Sequence, residues 1–113
     1  MVVGPRSRQT GSYSLTNTRF RVVPSSAAAR DLVRAYDWLT QPGAGETARR
    51  TLLAIEAAIK GLRMDHHRWP ASDHDGARER KVNGYSIVYR IDVSNRVVSV
   101  LRIFGPFQDR SAL

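Results

Sequence analysis

The stretch Asn83-Gly84-Tyr85-Ser86-Ile87-Val88-Tyr89-Arg90-Ile91-Asp92 decides the fold. Tyr85, Ile87, Tyr89 and Ile91 alternate with Ser86, Val88, Arg90 and Asp92, the period of two that sets one face of a strand against a core. Asn83-Gly84 is the dipeptide of a tight hairpin turn, since both positions accept left-handed backbone. The reading therefore extends back to a strand over 77–82. It extends forward, across a turn at 92–96, to the strongly β-branched run 97–104. Three antiparallel strands close the domain.

Working outward from that hairpin, residues 64–76 (MDHHRWPASDHDG) read as an exposed polar loop holding all three histidines. Before it, Ala48, Leu52, Ile55, Ile59 and Leu62 recur at steps of four, three, four and three, one apolar face of a helix. Gln41-Pro42-Gly43-Ala44-Gly45 interrupts the chain. An earlier helix carries Ala28, Leu32, Tyr36 (with Ala35) and Leu39 on its apolar face, with Arg30, Asp31, Arg34 and Asp37 mainly turned elsewhere. Ser25 or Ser26 is its expected N-cap. Ahead of Pro24, Arg19-Phe20-Arg21-Val22 alternates as a short half-buried strand. The expected fold is α+β in the order β-α-α-β-β-β, a helical hairpin packed on one face of a small, mainly antiparallel sheet. Residues 1–18, rich in Gly, Ser and Thr, read as a flexible basic arm, and 19–113 as a single domain.

With 113 residues, 42% of them hydrophobic and 25% charged, there is chain for one modest core. The absence of cysteine excludes a disulfide framework and a thiolate zinc site, and a reducing cytoplasm is the expected setting. No apolar run is long enough for a membrane span, and 1–18 lacks the apolar core of a secretory signal. The net charge is +8, and sixteen of the eighteen cations are arginines, Lys60 and Lys81 being the exceptions. Guanidinium grips phosphate and carboxylate with paired hydrogen bonds, so an anionic partner is expected. Residues 1–23 carry four arginines and no acid, half of the excess.

The run Phe20-Arg21-Val22-Val23-Pro24-Ser25 with Ala27-Ala28-Ala29-Arg30-Asp31-Leu32 resembles the start of the RelE/ParE toxins of bacterial type II toxin–antitoxin systems. Arg78-Glu79, the stretch 84–92, and Val100-Leu101-Arg102-Ile103-Phe104-Gly105-Pro106-Phe107-Gln108-Asp109-Arg110 resemble that family's last three strands and tail. The resemblance covers about residues 19–110. It implies a small basic toxin neutralised by a cognate acidic antitoxin, reaching operator DNA only through that antitoxin, with no cofactor and no membrane partner. It also implies one of two targets: the ribosome and its mRNA, cut by RelE-like ribonucleases, or DNA gyrase, poisoned by ParE-like members.

Cleavage through a 2′-hydroxyl needs a base, an acid and cations about one phosphate. Where the ribonuclease branch commonly has a basic residue after the tyrosine opening the middle strand, this chain has Ser86. Where other nuclease branches have His or Tyr, residues 105–110 hold neither. The Gln108-Asp109-Arg110 tail resembles ParE. A gyrase inhibitor acting by binding is the expected function. The alternatives are a ribosome-dependent ribonuclease, using Glu79 as base beside the cations Arg78 and Arg80 with Tyr89 or a loop histidine as acid, or a degenerate toxin that keeps only antitoxin and operator binding. The expected binding set is Arg78, Arg80, Lys81, Arg90, Arg102, Gln108, Asp109 and Arg110. Adjacent histidines in a loop lack the spacing that seats two imidazoles on one metal, so no metal site is expected. Trp38 and Trp69 are expected to pack rather than bind.

Overall fold

The computed structural model describes residues 19–106. The arm 1–18 and the tail residues Gln108, Asp109 and Arg110 lie outside them. Two helices and four strands follow the expected order: β1 (Arg21–Pro24), α1 (Ser26–Leu39), α2 (Gly45–Asp65), β2 (Arg78–Val82), β3 (Tyr85–Asp92) and β4 (Val97–Phe104). They build one sheet in the order β1-β4-β3-β2. The pairs β2–β3 and β3–β4 are antiparallel. β1 lies parallel to β4, from Arg21 opposite Val97 to Pro24 opposite Val100. The α+β class and mainly antiparallel sheet are what the sequence led one to expect. Asn83 (φ 47°) and Gly84 (φ 85°) both take the left-handed backbone that the β2–β3 turn requires.

The main core lies between the sheet and the helical hairpin. β3 contributes Tyr85, Ile87 and Tyr89, α2 contributes Leu52, Ile55, Ala58 and Leu62, and β4 contributes Val98, Val100 and Ile103. On α2 the expected apolar face holds, with Ala48 and Ile59 half-buried at its margins. The helix runs on to Asp65, so Met64, expected in the loop, is helical. Helix α1 is capped by Ser25, whose side-chain oxygen accepts the Ala28 N–H at 3.0 Å and donates to the Leu101 carbonyl at 2.9 Å.

The α1 face differs from the expected one. Ala28, Ala35 and Leu39 are buried, but the fourth buried residue is Asp31, 4% exposed, while Tyr36 is 53% exposed. The cause is on β4. Val88 pairs with Arg102 and Tyr89 with Val100, so Leu101 is an extra residue, a β-bulge. The bulge reverses the strand's alternation. Val98 and Val100 face the helices, and so does Ile103, while Phe104 joins Ala77 and Val88 in a smaller cluster on the opposite face. β1 stops at Pro24 opposite Val100, so among the described residues β4 beyond Val100 has no strand on that side. Asp31 fills the gap, accepting the Ile103 N–H at 2.9 Å. The buried Ile103 N–H needs an acceptor, and the Asp31 carboxylate supplies it.

Candidate functional site

Residues directly opposite on antiparallel strands share a sheet face, and this rule sorts the expected set. Arg78 faces the helices, being opposite the core residue Tyr89, and Arg80, opposite Ile87, lies on the same face. Both arginines are straps. Arg78 donates through Nη1 to the Trp69 carbonyl at 2.6 Å and to the His67 carbonyl at 3.3 Å. Arg80 Nη1 donates to the Ala58 carbonyl at 3.3 Å and lies 3.7 Å from Asp65 Oδ2, with its guanidinium 4.4 Å over the Trp69 ring. The guanidinium passes over Gly61, where a Cβ would make an ordinary contact with Arg80 Nη1 at 3.5 Å. Trp69 packs against the core, as expected.

The other face carries Glu79, Lys81, Arg90 and Arg102. Glu79 is 7% exposed and lies opposite Val88; Lys81 is exposed and lies opposite Ser86. Arg90 is exposed and donates through Nη2 to the Asp75 carbonyl at 3.1 Å. Arg102 is bound to Asp31, Nε at 2.7 Å from one oxygen and Nη2 at 3.1 Å from the other. Burial pushes the Asp31 carboxyl up. The Arg102 hydrogen bond outweighs that, with the Ile103 N–H and the charges of Arg102 and Arg34, and holds it below the usual carboxylate range. The four arginines therefore do not form one patch: two strap α2 and the loop after it, one lies on the far face, and one anchors α1.

Tyr89 is fully buried, and its hydroxyl donates to the His66 carbonyl at 2.5 Å. Burial pushes the phenol up to about 12, more than the nearby Arg78 and Arg80 charges pull it down. The histidines are not all in the solvent, contrary to the expected exposed loop. His66 is 1% exposed, with its ring 4.1 Å from Phe20 and Nδ1 donating to the Leu62 carbonyl at 2.8 Å. It caps the C-terminus of α2. His74 stacks on Phe104 at 6.4 Å. Among the described residues no three His, Asp or Glu side chains cluster as metal ligands. Trp38, expected to pack, is 64% exposed.

A concave surface was not anticipated. β1 and the two helices enclose an open groove of about 720 Å³, floored by Phe20, Val22, Pro24, Leu32 and Ile59. Arg19, Arg21, Lys60 and Arg63 stand around it, with Glu56 as the one acid. An apolar floor ringed by cations suits an amphipathic acidic segment. Lys60 and Arg63 stand one turn apart on α2, a sequence signal for half of the rim. Nothing along the chain tells that Arg19 and Arg21 come beside them.

Comparison with known proteins follows the same lines. The family model described as the ParE toxin of the type II toxin–antitoxin system parDE matches residues 22–105. No curated protein matches the sequence. The chromosomal ParDE system of P. aeruginosa contains a chain that superposes with a TM-score of 0.63 at 22% identity, covering 78% of this chain and 97% of that one. In the RelBE2 toxin–antitoxin complex of Mycobacterium tuberculosis the values are 0.57 and 24%, covering 77% and 98%. The isolated RelE toxin of E. coli gives 0.51 and 15%, covering 81% and 89%. At these identities the likeness is one of fold. Among the described residues no helix is long and apolar enough to cross a membrane.

Proposed function

The chain belongs to the ParE toxin family of type II toxin–antitoxin systems, and on that footing we propose that it inhibits DNA gyrase by binding. The observation that carries the binding reading is the division of the candidate catalytic groups between the two sheet faces. Glu79 lies on the face away from the helices, whereas Arg78, Arg80 and Tyr89 lie on the face toward them. The Tyr89 hydroxyl is committed to the His66 carbonyl, and both arginines to carbonyls around α2. A base, an acid and cations on opposite sides of a sheet do not surround one phosphate. Ser86, 8% exposed between Lys81 and Phe104, brings a hydroxyl and no charge.

Target contact on this reading falls to the exposed cations Lys81 and Arg90 and to Gln108, Asp109 and Arg110 of the tail. The solved relatives from M. tuberculosis and E. coli include toxin–antitoxin complexes. A cognate antitoxin is the proposed neutralising partner, and an acidic, apolar segment of it fits the groove between β1 and the helices.

The test is direct. Purified protein is expected to block DNA supercoiling by gyrase and to leave translated mRNA intact in a ribosome assay. Ribosome-dependent cuts in mRNA, lost in Glu79→Ala, would overturn the binding reading. Unimpeded supercoiling with intact mRNA would overturn the gyrase target.

A further inference from the structure

The solvent face of α1 bears large apolar and charged groups that nothing in the described chain covers. Val33 is 61% exposed and Tyr36 53%. Ala29, Val33 and Tyr36 are spaced by four and three, and Arg30, Val33 and Asp37 by three and four, so all five lie on one arc of the helix. Ala29, Arg30, Val33, Arg34 and Asp37 share a shallow depression there, in which Arg34 is already paired with Asp31 at 3.5 Å. Among the described residues neither Arg30 nor Asp37 has an ion-pair partner. They cannot serve one another, because seven residues of helix separate them by about 10 Å.

We propose that this face pairs with the same face of a second copy of the chain, antiparallel about a two-fold axis near Val33. The arrangement of the arc is what selects that occupant. Arg30 stands three residues before Val33 and Asp37 four after, so reversing the helix brings Arg30 against the partner's Asp37, twice by symmetry. Ala29 stands four residues before Val33 and Tyr36 three after. The same reversal sets each tyrosine ring over the partner's Ala29, where a methyl group leaves room for it. Val33 meets the partner's Val33 at the axis. A uniformly acidic segment would meet Asp37 and a uniformly basic one Arg30, with a charge repelled in either case.

None of these five residues lines the groove beside β1, so the pairing is independent of the antitoxin site proposed above. One helix face is a small contact, at the low end of specific interfaces below about 1,200 Å². The dimer is accordingly weak and concentration-dependent.

Sedimentation equilibrium of the purified full chain over a concentration series tests this. The wild type is expected to show a monomer–dimer equilibrium. Arg30→Asp and Asp37→Arg, each of which sets like charges against each other twice, should both give monomer. Combining Arg30→Asp with Asp37→Arg restores opposite charges and should restore the dimer. Thermal melts identical to the wild type show that the variants fold, as expected for exposed positions. A wild type that stays monomeric up to about 1 mM overturns the proposal. So does a dimer that survives both single reversals, or one that the double reversal fails to recover.

Discussion

The Asp31 carboxylate ties helix α1 to the last strand at Arg102, one oxygen 2.7 Å from Nε and the other 3.1 Å from Nη2. The oxygen that meets Nε also accepts the Ile103 N–H, so one side chain neutralises a guanidinium and completes a sheet edge.

Asp31→Asn keeps an acceptor for Ile103 but removes the carboxylate charge paired with Arg102, whose side chain is only 17% exposed. A loss of about 3 kcal/mol in a denaturant titration is expected. The pH dependence has a definite sign. The folded Asp31 pKa lies below its unfolded value, so its stabilisation is complete above the ordinary carboxylate range and is lost as pH falls through the lowered value. The asparagine variant should show a shallower loss of stability in that acid window. An acid limb parallel to the wild type removes Asp31 as its source.

Tyr89→Phe removes one buried hydrogen bond, to the His66 carbonyl, and should cost about 1 kcal/mol. On the binding reading, gyrase inhibition per folded molecule is unchanged; a large loss with a normal melt would restore Tyr89 as a catalytic candidate. In an ultraviolet titration one tyrosine should stay un-ionised until about 12. Because this folded pKa is raised, its contribution to stability is full below the unfolded value near 10 and declines as pH rises toward 12.

Lys60→Glu combined with Arg63→Glu reverses half of the groove's cationic rim without touching the buried core. Antitoxin affinity should fall by about tenfold or more at low salt, and by less at high salt, where the charges are screened. Affinity unchanged at low salt would show that the antitoxin lies elsewhere.

Arg78→Ala tests whether that arginine is a strap. It donates to the Trp69 and His67 carbonyls, and losing a charged hydrogen-bond donor there should lower stability by about 2 kcal/mol. Lys81→Ala, at an exposed residue on the other face of the same strand, should leave the melt unchanged. Equal melts for the two variants would place Arg78 on a purely external role.

Element order could be read from the chain because it rests on local signals. Asn83-Gly84 sets the hairpin, and the alternation from Tyr85 to Ile91 sets the face. The steps from Ala48 to Leu62 set α2. The bulge could not be read, because Leu101 looks like any apolar residue of a strand. With it unseen, strict alternation from Val98 and Val100 would drive Arg102 into the core and leave Asp31 with no reason to be buried. The binding set failed to gather for a related reason. Period-two reading sorts residues within one strand, but Arg78 and Arg90 are assigned to opposite faces only by the β2–β3 register. The groove needed more still, since Arg19 and Arg63 lie far apart in sequence and meet only when β1 docks beside α2. Trp38, expected to pack, lies instead on an arc of α1 that faces solvent, 64% exposed.

The parallel pairing of β1 with β4 also has a consequence in time. Arg21 finds its partner in Val97, seventy-six positions later, after both helices and the β2–β3 hairpin have been made. During synthesis the hairpin and helices can begin to associate, but β1 has no strand beside it until β4 leaves the ribosome. Two boundaries of the groove, β1 and α2, therefore come together late. A nascent chain carries no finished groove, and none of the Asp31–Arg102 anchorage, until the last strand arrives.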